Sequence, residues 1–171
     1  VLWLCGPSGV GKSTVAWELF TGLPGAAHVD IDQLGMCFPE IPSDPGRTVL
    51  EGRILGRTVV NFAAAGAGCL IVSGYVDSRR GVRTEHLSQA ALTVLRMRCD
   101  QPELRRRLEI RALPGEQRES ALREAEVLDR GALGYPVLDT TGRSAAEVHE
   151  AVHARWPAQP ARQPGPWPDP P

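Results

Sequence analysis

Lysine is almost missing from this chain of 171 residues. Lys12 stands alone among nineteen basic residues, and every other one is arginine. Neither sign of charge dominates. A formal net charge of -1 gives no strong pull toward nucleic acid or an anionic membrane, and neither partner is expected. No apolar run approaches the roughly 20 residues that span a bilayer. The first residues, "VLWLC", are too short for a secretory leader. Cysteine is sparse and unpaired in pattern. Cys5, Cys37, Cys69 and Cys99 form no C-x-x-C, and three of them lie in or beside apolar strand candidates. That excludes a disulfide or zinc framework and predicts reduced thiols in a cytoplasmic protein. The four histidines, His28, His86, His149 and His153, make no ligand cluster in the sequence.

What is present begins at Gly6. "GPSGVGKST" matches G-x-x-x-x-G-K-[ST], the phosphate-binding loop, and it follows a short apolar run that reads as a buried strand. The single lysine falls at the motif's lysine position. An ammonium is a compact charge that fits between phosphate oxygens, where a planar guanidinium is too wide. Backbone N–H groups of Gly9, Val10, Gly11, Lys12, Ser13 and Thr14 would surround the phosphates, helped by the helix N-terminus that follows. Ser13 is positioned to place its hydroxyl on a magnesium ion.

Along the chain, strands alternate with helices. "VLWLC", "AAHVDID", "CLIVSG", "LTVLRMR" and "YPVLD" read as strands. Helices are expected from Lys12 to Phe20, and from an Asp44 N-cap with Pro45 in the first turn to about Ala65. Another opens at the D-x-x-E of Asp100 and Glu103 and breaks at "LPG". A further one spans Ser120 to Arg130, and a last one is capped by Ser144 and Glu147. The stretch "SRRGVRTEHLSQ" is polar and without clear structure. From Trp156 onward come seven of the fifteen prolines in sixteen residues. Residues 1–155 are therefore read as one domain and 156–171 as a disordered proline-rich tail. The alternation predicts an α/β fold, an open parallel sheet with helices on both faces and ligands at the carboxyl ends of the strands.

Two features at those strand ends carry chemistry. Asp30 and Asp32, two apart in "HVDID", are expected on one side of the second strand beside the phosphates. One would hold magnesium and the other would orient or deprotonate an attacking hydroxyl. Capping of the following turn is the plain structural alternative. The third strand ends in Ser73 and Gly74, where motor ATPases commonly carry an Asp-Glu pair, and no N-K-x-D guanine signature occurs. Both absences argue against a motor ATPase or a GTPase.

Together with "VSG", "PELRRRLEIR" and "VLDTTGRSAAEV", these motifs resemble the small P-loop kinases: shikimate, gluconate, adenylylsulfate and nucleoside monophosphate kinases. Among relatives of that group, the chain is most similar to kinase-like AAA family ATPase proteins. The resemblance covers about residues 1–155. It implies a three-layer P-loop sandwich with a five-stranded parallel sheet in order 2-3-1-4-5, a short lid, and transfer of the ATP γ-phosphate to a hydroxyl or phosphate of a small molecule. ATP and Mg2+ are the implied cofactors, and a small-molecule acceptor the implied partner, for a monomer or homodimer. It makes "RRRLEIRALPGEQRES" the lid, with Arg107 and Arg111 as candidates to reach the nucleotide; a solvated basic face paired with Glu103 and Glu109 is the alternative. Arg53 or Arg57 would correspond to an acceptor-binding arginine. The candidate site is then Lys12, Asp32 and Arg111 for catalysis, Gly9 to Thr14 and Arg107 for nucleotide, and Ser13 and Asp30 for metal. A nucleotide-binding switch without an acceptor is the alternative function, and a nucleotide hydrolase a third.

Overall fold

The first strand, β1 (Leu2–Cys5), is fully buried and sits at the centre of the sheet. Its alternation sets the layers. Leu2 and Leu4 face one helical layer, while Trp3 and Cys5 face the other. In this computed structural model residues 1–156 are described, apart from residues 83, 85, 86, 88, 89 and 132. The expected tail beyond residue 156 and part of the polar stretch 78–89 lie outside the described residues.

The order of elements is β1, α1 (Lys12–Gly22), β2 (Ala26–Asp30), a short 3-10 turn (Ile31–Gln33), α2 (Thr48–Ala64), β3 (Cys69–Gly74), β4 (Thr93–Arg98), α3 (Gln101–Ile110), α4 (Gly115–Arg130), β5 (Val137–Asp139) and α5 (Ala145–Arg155). The five strands are parallel and run in the order β2-β3-β1-β4-β5, as the resemblance implied. Each parallel step needs a crossover; helices supply it from β1 to β2, from β2 to β3 and from β4 to β5, while β3 leads to β4 with no helix among the described residues between them. Leu19 of α1 and Val148 and Val152 of α5 pack with Leu2, Leu4, Ile71, Leu95 and Met97 on one face. Leu55 of α2 and Leu128 of α4 pack with Trp3, Val29 and Val72 on the other. Helices α3 and α4 carry a small core of their own, built from Cys99, Leu104, Leu108, Leu113, Ala121, Leu122 and Ala125.

Four sequence expectations are corrected. Helix α2 begins at Thr48 and not beside Pro45. Asp44 still takes the N–H groups of Val49 and Leu50, but from the preceding loop, because Gly46 and Arg47 turn the chain with positive φ. Helix α4 begins at Gly115, five residues before Ser120, so the "LPG" break is a tight corner between two helices. Pro114 serves as its N-cap and the glycine sits in its first turn. Asp32 lies in the 3-10 turn and not on β2, because the Asp30 carboxylate takes the Asp32 N–H and ends the strand. Trp156, assigned to the tail, is 8% exposed and packs in the core beside α5.

Candidate functional site

The loop Gly6–Gly11 links the carboxyl end of β1 to α1. Gly11, at φ 102°, is the N-cap of α1 and supplies no side chain to it, and no acidic residue lies in the helix's first turn. The N–H groups at that end are therefore left for a ligand. Gly9 is required for packing as well as for backbone conformation. At φ +87° a Cβ there would run into Leu104 and Leu108 of α3. This contact seats α3 against the loop.

Lys12 is only 8% exposed. Its Nζ donates to the Gly6 and Pro7 carbonyl oxygens, both at 2.9 Å. Burial pulls its pKa below the ordinary lysine value, and the charges of Asp32, Glu124 and Asp30 work against that shift. The ammonium thus has neutral hydrogen-bond partners and carboxylates around it through space.

The Ser13 hydroxyl donates to Asp30 Oδ2 at 3.3 Å. Asp30 Oδ1 accepts the Asp32 N–H at 3.1 Å, and Asp32 Oδ1 accepts the Tyr75 N–H at 2.8 Å. The two carboxylates do come together, by way of the turn and not by strand alternation. Asp30 makes the turn-capping contact of the plain alternative, Asp32 bonds across to the end of β3, and both line the phosphate-loop cavity. Gly74, at the end of β3, permits this approach. It has φ +150°, and a Cβ on it would collide with the Ile31 side chain and crowd Asp32 Oδ1.

The cavity is about 590 Å³. The phosphate loop from Ser8 to Val15 forms its floor, Asp30 and Asp32 one wall, and Glu103, Arg106, Arg107, Ile110 and Arg111 of the α3 side another. Thr140, Arg143, Ala145 and Val148 close the end beside β5 and α5. Arg107 is held on several sides. Its guanidinium donates to Glu103 Oε1 at 2.8 Å, to the Thr140 carbonyl at 2.8 Å and hydroxyl at 3.1 Å, and to the Val10 carbonyl at 3.3 Å. Arg111, at the C-cap of α3, lines the cavity and has no side-chain hydrogen bond or ion pair among the described residues.

The remaining basic residues of α3 do form a paired face. Arg106 grips Glu103 through two bonds of 2.8 Å, and Arg105 bonds Glu119 at 3.1 Å. The Arg106 and Arg107 guanidinium groups hold the Glu103 carboxyl down at about 2. Arg53 and Arg57 are exposed on α2 and neither lines the cavity, so the acceptor-binding role considered for them gains no support here. His149 and His153 stack at 6.3 Å on α5, and no cluster of His, Cys, Asp or Glu able to hold a metal occurs among the described residues.

Two residues escaped sequence reasoning. Thr140, 1% exposed, bonds the Val10 and Arg98 carbonyls and Arg107, tying the end of β5 to the phosphate loop. Glu124 of α4 lies in the field of Lys12 and Asp32, and burial raises its carboxyl above the ordinary range. Thr140 lies in "VLDTTGRSAAEV", where no role was assigned to it, and Glu124 belongs to no motif. Glu124 is one of several acids in an Arg/Glu-rich helix and reads there as solvated.

The phosphate loop, acidic turn and arginine-bearing helix pair accompany a family match. The model described as AAA domain matches residues 1–132. The chain belongs to this AAA domain family. No curated protein matches the chain. Among solved structures, it is similar to a tunicamycin resistance protein of Deinococcus radiodurans, with a TM-score of 0.70 and 22% identity over 94% of this chain and 96% of that one. A sugar kinase from Janibacter sp. HTCC2649 superposes with a TM-score of 0.66 and 17% identity, covering 94% and 95%. A shikimate kinase from Bacteroides thetaiotaomicron gives 0.59 and 16%, covering 90% and 96%. The family match and these fold relatives establish a small P-loop kinase-like fold over nearly the whole described chain.

Proposed function

We propose that the chain is an ATP-dependent small-molecule kinase that moves the γ-phosphate to a hydroxyl or phosphate of its acceptor. The observation that carries this reading is the convergence of an uncapped helix N-terminus, a buried Lys12 and two carboxylates on one cavity of about 590 Å³. That size lies within the range of small-ligand sites. Kinases among the fold relatives support the same reading.

In this account the N–H groups from Gly9 to Thr14 hold the phosphates and Lys12 leaves its two carbonyl partners for the β- and γ-phosphates. Ile110, 70% exposed, gives the cavity an apolar surface for the base. Arg107 braces the loop from α3, and Arg111 adds positive charge on closure. A magnesium ion fits the donor set: Ser13 Oγ and Asp30 Oδ2 are hard oxygen atoms already 3.3 Å apart. So few protein ligands suit an ion that keeps water and phosphate oxygens around it. Ser13 and Asp30 would hold it, and when bound it neutralises charge on the transferring phosphoryl group. Asp32 orients the acceptor hydroxyl and takes its proton, while the Tyr75 N–H fixes the carboxylate from behind.

The test separates the two aspartates. Asp32→Asn keeps an oxygen for the Tyr75 N–H but loses the base, so phosphoryl transfer should fall on the order of 100-fold with ATP binding largely retained. Asp30→Asn should instead raise the magnesium concentration needed for half-maximal turnover. Small and equal effects would leave both as turn caps and favour the acceptor-free switch.

A further inference from the structure

Thr140 follows directly on β5, and although buried it lines the phosphate-loop cavity. Its hydroxyl oxygen accepts from Arg107 Nη1 at 3.1 Å and donates toward the Val10 carbonyl oxygen at 3.4 Å. Arg107 Nη1 reaches the same carbonyl at 3.3 Å. The Arg98 carbonyl, 3.0 Å from the hydroxyl, is the other acceptor within reach, and it already takes the Thr140 N–H at 2.8 Å. Two donors, one from the end of β5 and one from α3, thus converge on a single carbonyl oxygen of the phosphate loop. That oxygen belongs to the peptide between Val10 and Gly11. A trans peptide is planar, so its C=O and N–H point in opposite directions. A carbonyl drawn toward Thr140 and Arg107 therefore turns the Gly11 N–H away from them. Gly11 itself does little to hold this plane. It sits at φ 102°, and glycine accepts either sign of φ. A Cβ built on it would meet nothing within 4 Å, so no packing locks it either. Left free, the peptide could turn over and present an oxygen where the phosphates need an N–H.

We infer that Thr140 is a positioning residue of the nucleotide site: its hydroxyl, backed by Arg107, holds the Val10–Gly11 peptide with its oxygen outward and the Gly11 N–H free for the phosphates. The hydroxyl is a bridge. It takes a charged donor on one side and gives its own proton on the other, and a charged donor strengthens the bond it passes on. The guanidinium end of the bridge is itself fixed, by Glu103 Oε1 and by the Thr140 carbonyl, each at 2.8 Å. The loop therefore has its binding shape before nucleotide arrives, and binding does not bear the cost of ordering it. Thr140 touches no phosphate in this scheme and acts only through Gly11. Loop N–H groups serve the α- and β-phosphates, which ATP and ADP share. Loss of the hydroxyl should accordingly weaken both nucleotides together.

This inference rests on the nucleotide-binding part of the proposed function. The experiment is calorimetric titration of the full chain with ATP and with ADP in the presence of Mg2+, for the parent, Thr140→Val, Thr140→Ser and Thr140→Ala. Threonine and valine share a shape and differ by the hydroxyl, and serine and alanine differ in the same way. Thr140→Val should bind both nucleotides at least about fivefold more weakly than the parent, the order of one hydrogen bond, and keep the parent's ATP-to-ADP ratio. Thr140→Ser should bind as the parent does, and Thr140→Ala at least about fivefold more weakly than Thr140→Ser. Melting temperatures of the free proteins separate this from lost packing. Thr140→Ser lacks a buried methyl group and should melt below the parent while keeping its affinity. Should Thr140→Val fail to fold, the serine and alanine variants make the same comparison. Equal affinity within the pairs overturns the inference and leaves Thr140 a packing residue, as does affinity that merely follows melting temperature. A parent that binds neither nucleotide overturns the nucleotide reading and this inference with it.

Discussion

The carboxylates of the chain do not all ionise on equal terms: Glu103 is held low by its arginines, and Glu51 is pushed high. Its side chain lies in the first turn of α2, 3.8 Å from Arg47, with Asp32 and Asp44 contributing like charge. Burial pushes its carboxyl from the ordinary 4.5 up to about 7, and Arg47 offsets only part of that. A raised folded pKa means that the native state holds a proton the unfolded chain has already lost. Below about pH 4.5 both states are protonated and Glu51 costs nothing. As pH rises from 4.5 through 7 stability is lost, and above 7 the penalty is complete. Glu51→Gln should therefore melt with the parent at pH 4 and above the parent at pH 8, read by differential scanning calorimetry at both pH values. A variant that melts lower at pH 8 would show that the Arg47 pair outweighs the burial of charge.

At the scale of elements, the α3–α4 hairpin packs as a unit, and the proposed function has it close over the nucleotide. It has its own small core and a four-residue corner, Arg111–Pro114, in which Ala112 holds a strained φ of 51°. Arg107 roots α3 to Thr140 and to the Val10 carbonyl, so closure should swing the outer turns while the base of α3 stays put. Arg111 lies at that outer end and faces the cavity without an ionic partner among the described residues. Hydrogen exchange with a non-hydrolysable ATP analogue should show added protection between residues 109 and 120. Arg111→Ala should lower turnover more than ATP affinity, because its contact strengthens on closure. Unchanged exchange together with a silent Arg111→Ala would reduce the hairpin to a fixed buttress. Where such elements begin was only partly legible in the sequence. The strands could be read because each is a short apolar run, and the Asp100 and Ser144 caps were visible because a capping side chain precedes its acid by three residues. The start of α4 was hidden because glycine usually breaks a helix, whereas here Pro114 and Gly115 begin one. The turn at Asp32 was hidden because an i, i+2 pair of acids looks the same on a strand as across a capped turn.

For the whole molecule, the strand order brings these parts together. Placing β1 at the centre sets the phosphate loop between the β2 turn that carries Asp30 and Asp32 and the β4–β5 side from which α3, α4 and Thr140 arise. No helix among the described residues is long and apolar enough to cross a membrane. The central claim is phosphoryl transfer to an acceptor, with water excluded as the main recipient. It is tested most directly by ADP release from ATP and Mg2+ across a panel of hydroxyl-bearing and phosphorylated small molecules, against a control with no acceptor. The account predicts slow release in the control and a large acceptor-dependent increase with at least one compound. That increase should be lost on the order of 100-fold in Asp32→Asn and at least about tenfold in Lys12→Ala, equivalent to roughly 1.4 kcal/mol. Release that runs at full rate with no acceptor, and that Asp32→Asn leaves unchanged, would contradict it.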